Sequence, residues 1–247
     1  MTDVRTSSST NTIVLITGAN KGLGLEAARQ LAARGCTILL GARDSARGQS
    51  AAAALAAGGG DVRFVQIDVT SDDSVAAAAD WVANEIGALD VLINNAGIIG
   101  GAGVGPLETA PGDFLACFGV NLLGPVRVTR AFLPLLGKAA LPRIVMVSSG
   151  MGSMGVTTDP DRLESSIVSL VYPSSKAALN MVTTQYAKAL PGWKVNAVDP
   201  GYTATDLNGH SGHKSVGAGA AVIVDLALVG LDGPTGGFFD DAGPVPW

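Results

Sequence analysis

Dense apolar runs recur along the chain, and longer stretches with helical spacing separate them. The runs are TIVLIT (12–17), TILLGA (37–42), VRFVQIDV (62–69), DVLINNAG (90–97), RIVMVSS (143–149), KVNAVDP (194–200) and a short GGFFD (236–240). Helices are predicted near 23–33, 45–57, 72–86, 111–137, 172–189 and 215–229. A strand covered on one face alternates between apolar and polar residues. These runs are almost wholly apolar, as parallel strands covered on both faces are. Regular β–α alternation implies right-handed crossovers. The expectation is an α/β protein: one doubly wound, seven-stranded parallel sheet flanked by helices.

Composition narrows the picture. The 247 residues suit a single domain, and 47% hydrophobic against 15% charged residues argues against disorder for most of the chain. The opening MTDVRTSSSTN (1–11) is polar, has no apolar core of signal-peptide length, and is expected to be a disordered tail before a domain spanning 12–247. No run approaches the roughly 20 apolar residues of a membrane span, so a soluble, cytoplasmic protein without a membrane partner is expected. Sixteen basic against 21 acidic residues, with no basic block, make nucleic acid a poor partner. Cys36 and Cys117 lie far apart in apolar surroundings and read as reduced core thiols. His210 and His213, in NGHSGHK, lack evident thiol or carboxylate companions, so a mobile loop is expected there and no metal.

In such sheets ligands sit beyond the carboxyl ends of the strands, at the point where strand order reverses. After the first run comes TGANKGLG, with Gly18, Gly22 and Gly24 leading into a helix. Glycines there let a backbone approach a ligand closely, and the helix N-terminus offers free N–H groups to an anion. The stretch suits a pyrophosphate, or else is a tight turn with no ligand. After the second run the chain reads ARD, with Ala42 where an acid for ribose hydroxyls would be expected and Arg43 next. A guanidinium there, helped by Lys21, favours a 2′-phosphate and hence NADP(H) over NAD(H), unless Asp44 takes Arg43 as an ordinary surface pair.

The later strand ends read INNAG (93–97), VSSGMG (147–152) and DPGYTATD (199–206), and YPSSK (172–176) opens the next helix. Each motif is short, but together and in this order the chain resembles the short-chain dehydrogenase/reductase family over nearly its whole length. Within the family it looks most like the NADPH-dependent carbonyl reductases. The resemblance implies a Rossmann fold and a dinucleotide held by Gly18, Asn20, Lys21, Gly22, Leu23, Gly24 and Arg43. It matches Asp68 and Val69 to the adenine positions, Asn94, Asn95, Ala96 and Gly97 to the ribose element, and Pro200, Gly201, Thr203 and Thr205 to the carboxamide segment. It matches Asn121, Ser149 rather than Ser148, Tyr172 and Lys176 to the catalytic positions, the last two also touching the cofactor.

Those roles have a chemical basis. Tyr172 and Lys176, at i and i+4, project from one helical face, and a cation beside a phenol is expected to pull its pKa from about 10 toward neutrality. The tyrosine then serves as general acid while Ser149 holds the carbonyl oxygen. Gly124 and Pro125 predict an irregular turn near Asn121 that orders a water leading to Lys176.

The implied activity is reduction of an apolar ketone or aldehyde with NADPH. Alternatives are an alcohol dehydrogenase running oxidatively, an imine reductase, or a dinucleotide sensor without chemistry. The expected pocket wall is Ile98, Ile99, Met151, Met154, Val171, Tyr202 and Leu207, apolar and without a cation for an acidic substrate. The loops GGAGVG (100–105) and NGHSGHKS are expected to shape specificity. The spacing from Ser149 to Tyr172 exceeds the family's common one. In monomeric carbonyl reductases a still longer insertion here covers a pairing face, so monomer and homo-oligomer both stay open. Asp199 has no assigned role.

Overall fold

The computed structural model describes residues 12–101 and 105–247. The expected tail at 1–11 and residues 102–104 of the glycine-rich loop lie outside them. One sheet holds eight strands in the order β3-β2-β1-β4-β5-β6-β7-β8. The strands are β1 (Ile13–Ile16), β2 (Thr37–Ala42), β3 (Val62–Gln66), β4 (Val91–Asn94), β5 (Arg143–Val147), β6 (Lys194–Val198), β7 (Phe238–Asp240) and β8 (Gly243–Pro244). The first seven pair parallel, as expected from their almost wholly apolar runs, although the edge strand β3 exposes Arg63 and Gln66. The eighth is a correction to the seven-strand expectation. It is antiparallel to β7 and two residues long, and its Pro244 has no N–H to donate, so no apolar period marks it.

Helices α1 (Gly22–Ala32), α2 (Ser45–Ala57) and α8 (Val216–Ala227) lie against one face of the sheet, in a core with Val14, Ile16, Ile38, Leu40 and Ile93. The opposite core joins Leu15, Leu39, Leu92, Ile144 and Met146 to α3 (Asp72–Glu85), α5 (Gly124–Leu136) and α7 (Val171–Ala189). Alternate residues of one strand thus enter different cores, which is why the strands read as continuously apolar.

The single helix expected over 111–137 is broken. It runs as α4 (Pro111–Phe118), a π-helical turn Gly119–Leu123, and α5. Pro125 has no N–H to return to the carbonyl of Asn121, and Gly124 donates back to Gly119 instead. The long segment before Tyr172 holds the short helix α6 (Met154–Thr157) and a 3₁₀ turn, Leu163–Ser166.

Candidate active site

Strand order reverses at β1, which pairs with β2 on one side and β4 on the other. The turn after β1 and the segment after β4 therefore emerge side by side. Gly18 has φ +64°, and a Cβ there would stand 2.9 Å from Ala96 Cα. A Cβ on Gly24 would overlap Asn95 Nδ2 and lie 2.9 Å from Gly18 O. The glycine turn is thus a bare-backbone cradle at the start of α1, and its shape fits a pyrophosphate.

Asn95 stitches the two strand ends together, its Nδ2 donating to Thr17 O at 2.8 Å and to Gly18 O at 3.2 Å. Thr17, which sequence reasoning missed, accepts through Oγ1 from Asn95 N and Ala96 N at 3.0 and 3.1 Å. A hydroxyl closing an otherwise apolar strand was the available signal. Asn94 departs from expectation. It is buried, and its Nδ2 donates to Thr129 Oγ1 at 3.1 Å, because strand alternation turns it inward. Its side chain is turned into the core, where Met146 Sδ is a second partner at 3.3 Å.

At the end of β2, Arg43 is exposed and has no ion pair among the described residues. Asp44 is engaged elsewhere, capping α2 through Arg47 N at 3.0 Å and pairing with the Arg47 guanidinium at 3.3 Å. Lys21, by contrast, is paired with Asp206 at 3.1 Å, a partner the sequence did not indicate. Asn20 and Leu23 share the same turn, with Leu23 also packed on the adjoining core. Asp68 accepts from Thr70 N and Oγ1. Burial raises its pKa, but those bonds and the charges of Arg43 and Arg127 outweigh it, so the carboxyl lies below its ordinary value. Val69 is buried beside it.

The reacting end forms where β5 meets α7. Ser148 is buried and donates to Asn180 Oδ1 at 2.6 Å. Ser149 accepts from Met151 N at 3.2 Å, and its hydroxyl also shares a hydrogen bond with the Tyr172 phenol. Lys176 is only 4% exposed, and its Nζ donates to Val147 O at 2.7 Å. The same Nζ stands 5.7 Å from the centre of the Tyr172 ring. Burial lowers the Lys176 pKa to about 8. The phenol moves opposite to expectation. Burial pushes Tyr172 up to about 12, opposed by its hydrogen bond with Ser149 and reinforced by Asp199 and Cys117. Desolvation outweighs an ammonium that is turned toward a backbone carbonyl.

Asn121 is fully buried and grips Ile98 from both sides, accepting from its N at 2.9 Å and donating to its O at 2.9 Å. It also donates to Ser175 Oγ at 3.0 Å. Gly97 is the spacer, since a Cβ there would stand 3.5 Å from Asn121 Oδ1 and 3.7 Å from Lys176 Nζ. After β6, Thr203 is buried and donates to Pro200 O at 3.1 Å, Gly201 has φ +72°, and Thr205 N donates to Asn208.

Of the expected pocket wall, Ile98, Ile99, Met154, Tyr202 and Leu207 are exposed and Met151 is half-buried. Val171 is a correction, being buried against Gly100 beside Cys117. Cys36 and Cys117 are both free and buried. His210 does have a carboxylate companion, Asp206 at 2.9 Å, while His213 stacks edge-on with Tyr202.

Residues 12–215 match the family profile described as short chain dehydrogenase. The chain belongs to that family. This short-chain dehydrogenase is 35% identical to (-)-isopiperitenone reductase of Mentha piperita, covering 91% of this chain and 95% of that one. It is 34% identical to (+)-neomenthol dehydrogenase of Arabidopsis thaliana, with 91% and 94% covered. Among solved structures it resembles the NADPH-bound carbonyl reductase from chicken fatty liver, with TM-score 0.84 and 29% identity over 96% and 99% of the two chains. The chain is an NAD(P)-dependent oxidoreductase with a nicotinamide dinucleotide as cofactor. No helix among the described residues is long and apolar enough to cross a membrane.

Proposed function

We propose that this dehydrogenase reduces an apolar ketone or aldehyde to an alcohol with NADPH, Tyr172 giving the proton. The observation that carries the reading is the grouping of Ser149, Tyr172 and Lys176 at the β5–α7 junction, with Gly97 separating Lys176 from Asn121. The dinucleotide, when bound, supplies the hydride. Gly18, Asn20, Gly22, Leu23 and Gly24 cradle its pyrophosphate, and Arg43, aided by Lys21, holds the 2′-phosphate. Asp68 and Val69 flank the adenine, Asn95, Ala96 and Gly97 border the ribose, and Pro200, Gly201, Thr203 and Thr205 steady the carboxamide.

Ser149, which shares a hydrogen bond with the Tyr172 phenol, turns its O–H to the substrate oxygen when substrate enters. Tyr172, with its pKa near 12, stays protonated through the neutral range and gives that proton to the oxygen as an alkoxide develops. Lys176 then stands beside a phenolate and stabilises it. Asn121 uses its side chain to hold Ile98, so its part in proton supply falls to the backbone of the π turn. The exposed Ile98, Ile99, Met154, Tyr202 and Leu207 suit an apolar substrate. The relatives named for the terpenoids isopiperitenone and neomenthol support the same class.

The test is loss of NADPH absorbance with menthone, cyclohexanone, benzaldehyde, phenanthrenequinone and 1-pyrroline. Tyr172→Phe is expected to lower turnover by about 10²- to 10⁴-fold, the typical worth of a positioned general acid, while NADPH binding holds. Equal turnover in that variant overturns the mechanism.

A further inference from the structure

Asp199 follows the last residue of β6 and is only 4% exposed, yet the proposed proton transfer gives it no task. A buried carboxylate needs hydrogen bonds to offset its lost hydration. Asp199 receives them from two separate turns. Gly201 N donates to Oδ1 at 2.9 Å, and Gly150 N–H donates to the same carboxyl. Gly150 begins the 3₁₀ turn directly after Ser149, and Gly201 opens the stretch leading to Thr203.

A second carboxyl reaches this point. A Cβ on Gly150 would stand 2.8 Å from Asp199 Oδ2 and 3.1 Å from Glu164 Oε1. Glu164 belongs to the 3₁₀ turn Leu163–Ser166, inside the long segment that precedes Tyr172. Asp240 at the end of β7 adds a third negative group, while Tyr172 and Lys176 face Asp199 from α7.

We infer that Asp199 is a positioning residue: its carboxylate laces the Ser149–Gly150 turn to the Pro200–Gly201 turn, and Glu164 sets the acidity at which the lacing lets go. The inference rests on the proposed proton transfer, because those turns carry the hydroxyl that holds the substrate oxygen and the segment that steadies the carboxamide. An ionised carboxylate accepts from both N–H groups. A protonated one presents an O–H where an acceptor is needed, and one N–H loses its partner. Burial, followed by Glu164 and Asp240, raises the Asp199 pKa against the pull of the two N–H bonds. The lacing therefore loosens at a higher pH than an exposed aspartate would give. The extended segment thereby acquires a task, since it delivers the group that adjusts this carboxyl.

The experiment compares the full chain with Asp199→Asn and Glu164→Gln. Menthone serves as probe, or whichever member of the panel the wild type reduces. Asp199→Asn is expected to lower kcat about ten-fold or more, as one donor is left unmet, with KM and the NADPH Kd, read by nucleotide fluorescence, within about two-fold. Its pH profile should lack the acid limb expected of the wild type. In Glu164→Gln the acid limb moves to lower pH. A readout independent of turnover is the ¹³C carboxyl titration of Asp199 in the cofactor-free protein, assigned by its absence from Asp199→Asn. Its midpoint should lie above the ordinary carboxylate range and fall in Glu164→Gln. Wild-type kcat in Asp199→Asn, or an unmoved midpoint and acid limb in Glu164→Gln, overturns the inference. Should Asp199→Asn fail to fold, Glu164→Gln still decides the matter. A wild type inactive on the whole panel sinks the proposed reduction, whereas the titration still reports on the carboxyl pair.

Discussion

Replacing Arg43 by alanine should separate NADPH from NADH. The guanidinium is exposed at the end of β2, and the adjacent carboxylate of Asp44 is held by Arg47 and by the first turn of α2. Its hydrogen-bonding edge is therefore free for a phosphate without first breaking an ion pair. A hydrogen bond to a charged group contributes about 1.5–3 kcal/mol, so its loss should weaken NADPH by about 10- to 150-fold. NADH has no 2′-phosphate, and its Kd should stay within about two-fold. Lys21 should matter less, because Asp206 at 3.1 Å already shares its ammonium. Titration of nucleotide fluorescence with both cofactors at one fixed ionic strength measures the two constants. Raising the salt should shrink the NADPH loss, since exposed charges are screened. Parallel losses for NADPH and NADH would refute the assignment.

Two other outcomes follow from the geometry. Gly24→Ala places a methyl group onto Asn95 Nδ2, so overpacking should cost about 1–3 kcal/mol in urea unfolding and also weaken NADPH. Unchanged stability would mean that the strand ends are not locked as described. For Lys176 the folded pKa, about 8, lies below the ordinary lysine value of 10.5, so the unfolded chain binds more protons between those limits. Wild-type stability should therefore rise relative to Lys176→Met as pH increases from 8 toward 10.5. Parallel melting curves across that window would argue against a desolvated amine.

The strands and flanking helices were legible because burial on both faces leaves an unbroken apolar signature, as in TILLGA. The irregular turn near Asn121 was legible too, because Pro125 cannot donate. Other features depend on what folding brings together. Asn94 and Asn95 are adjacent and identical, and only strand alternation sends one to Thr129 and the other to Thr17. The Lys21–Asp206 pair joins positions 185 residues apart, beyond the reach of local pattern. The Tyr172 pKa lies above rather than below its ordinary value because burial dominates it, and motif spacing reveals a neighbouring lysine but neither that burial nor the direction of the Nζ. β8 went unread because two residues carry no period.

Gly152 has one further consequence. A Cβ there would lie 2.6 Å from the backbone carbon of Lys176, so the turn bearing Ser149 and the helix bearing Tyr172 meet main chain to main chain. Asn180 ties that seam, its Nδ2 donating to Gly152 O at 3.1 Å and its Oδ1 accepting from Ser148, so the two hydroxyls travel as one plate. The exposed apolar groups Ile98, Tyr202 and Leu207 sit instead on the segments after β4 and β6, and Met154 opens α6. New substrates can thus be accommodated by rewriting the rim while the proton-handling plate stays untouched.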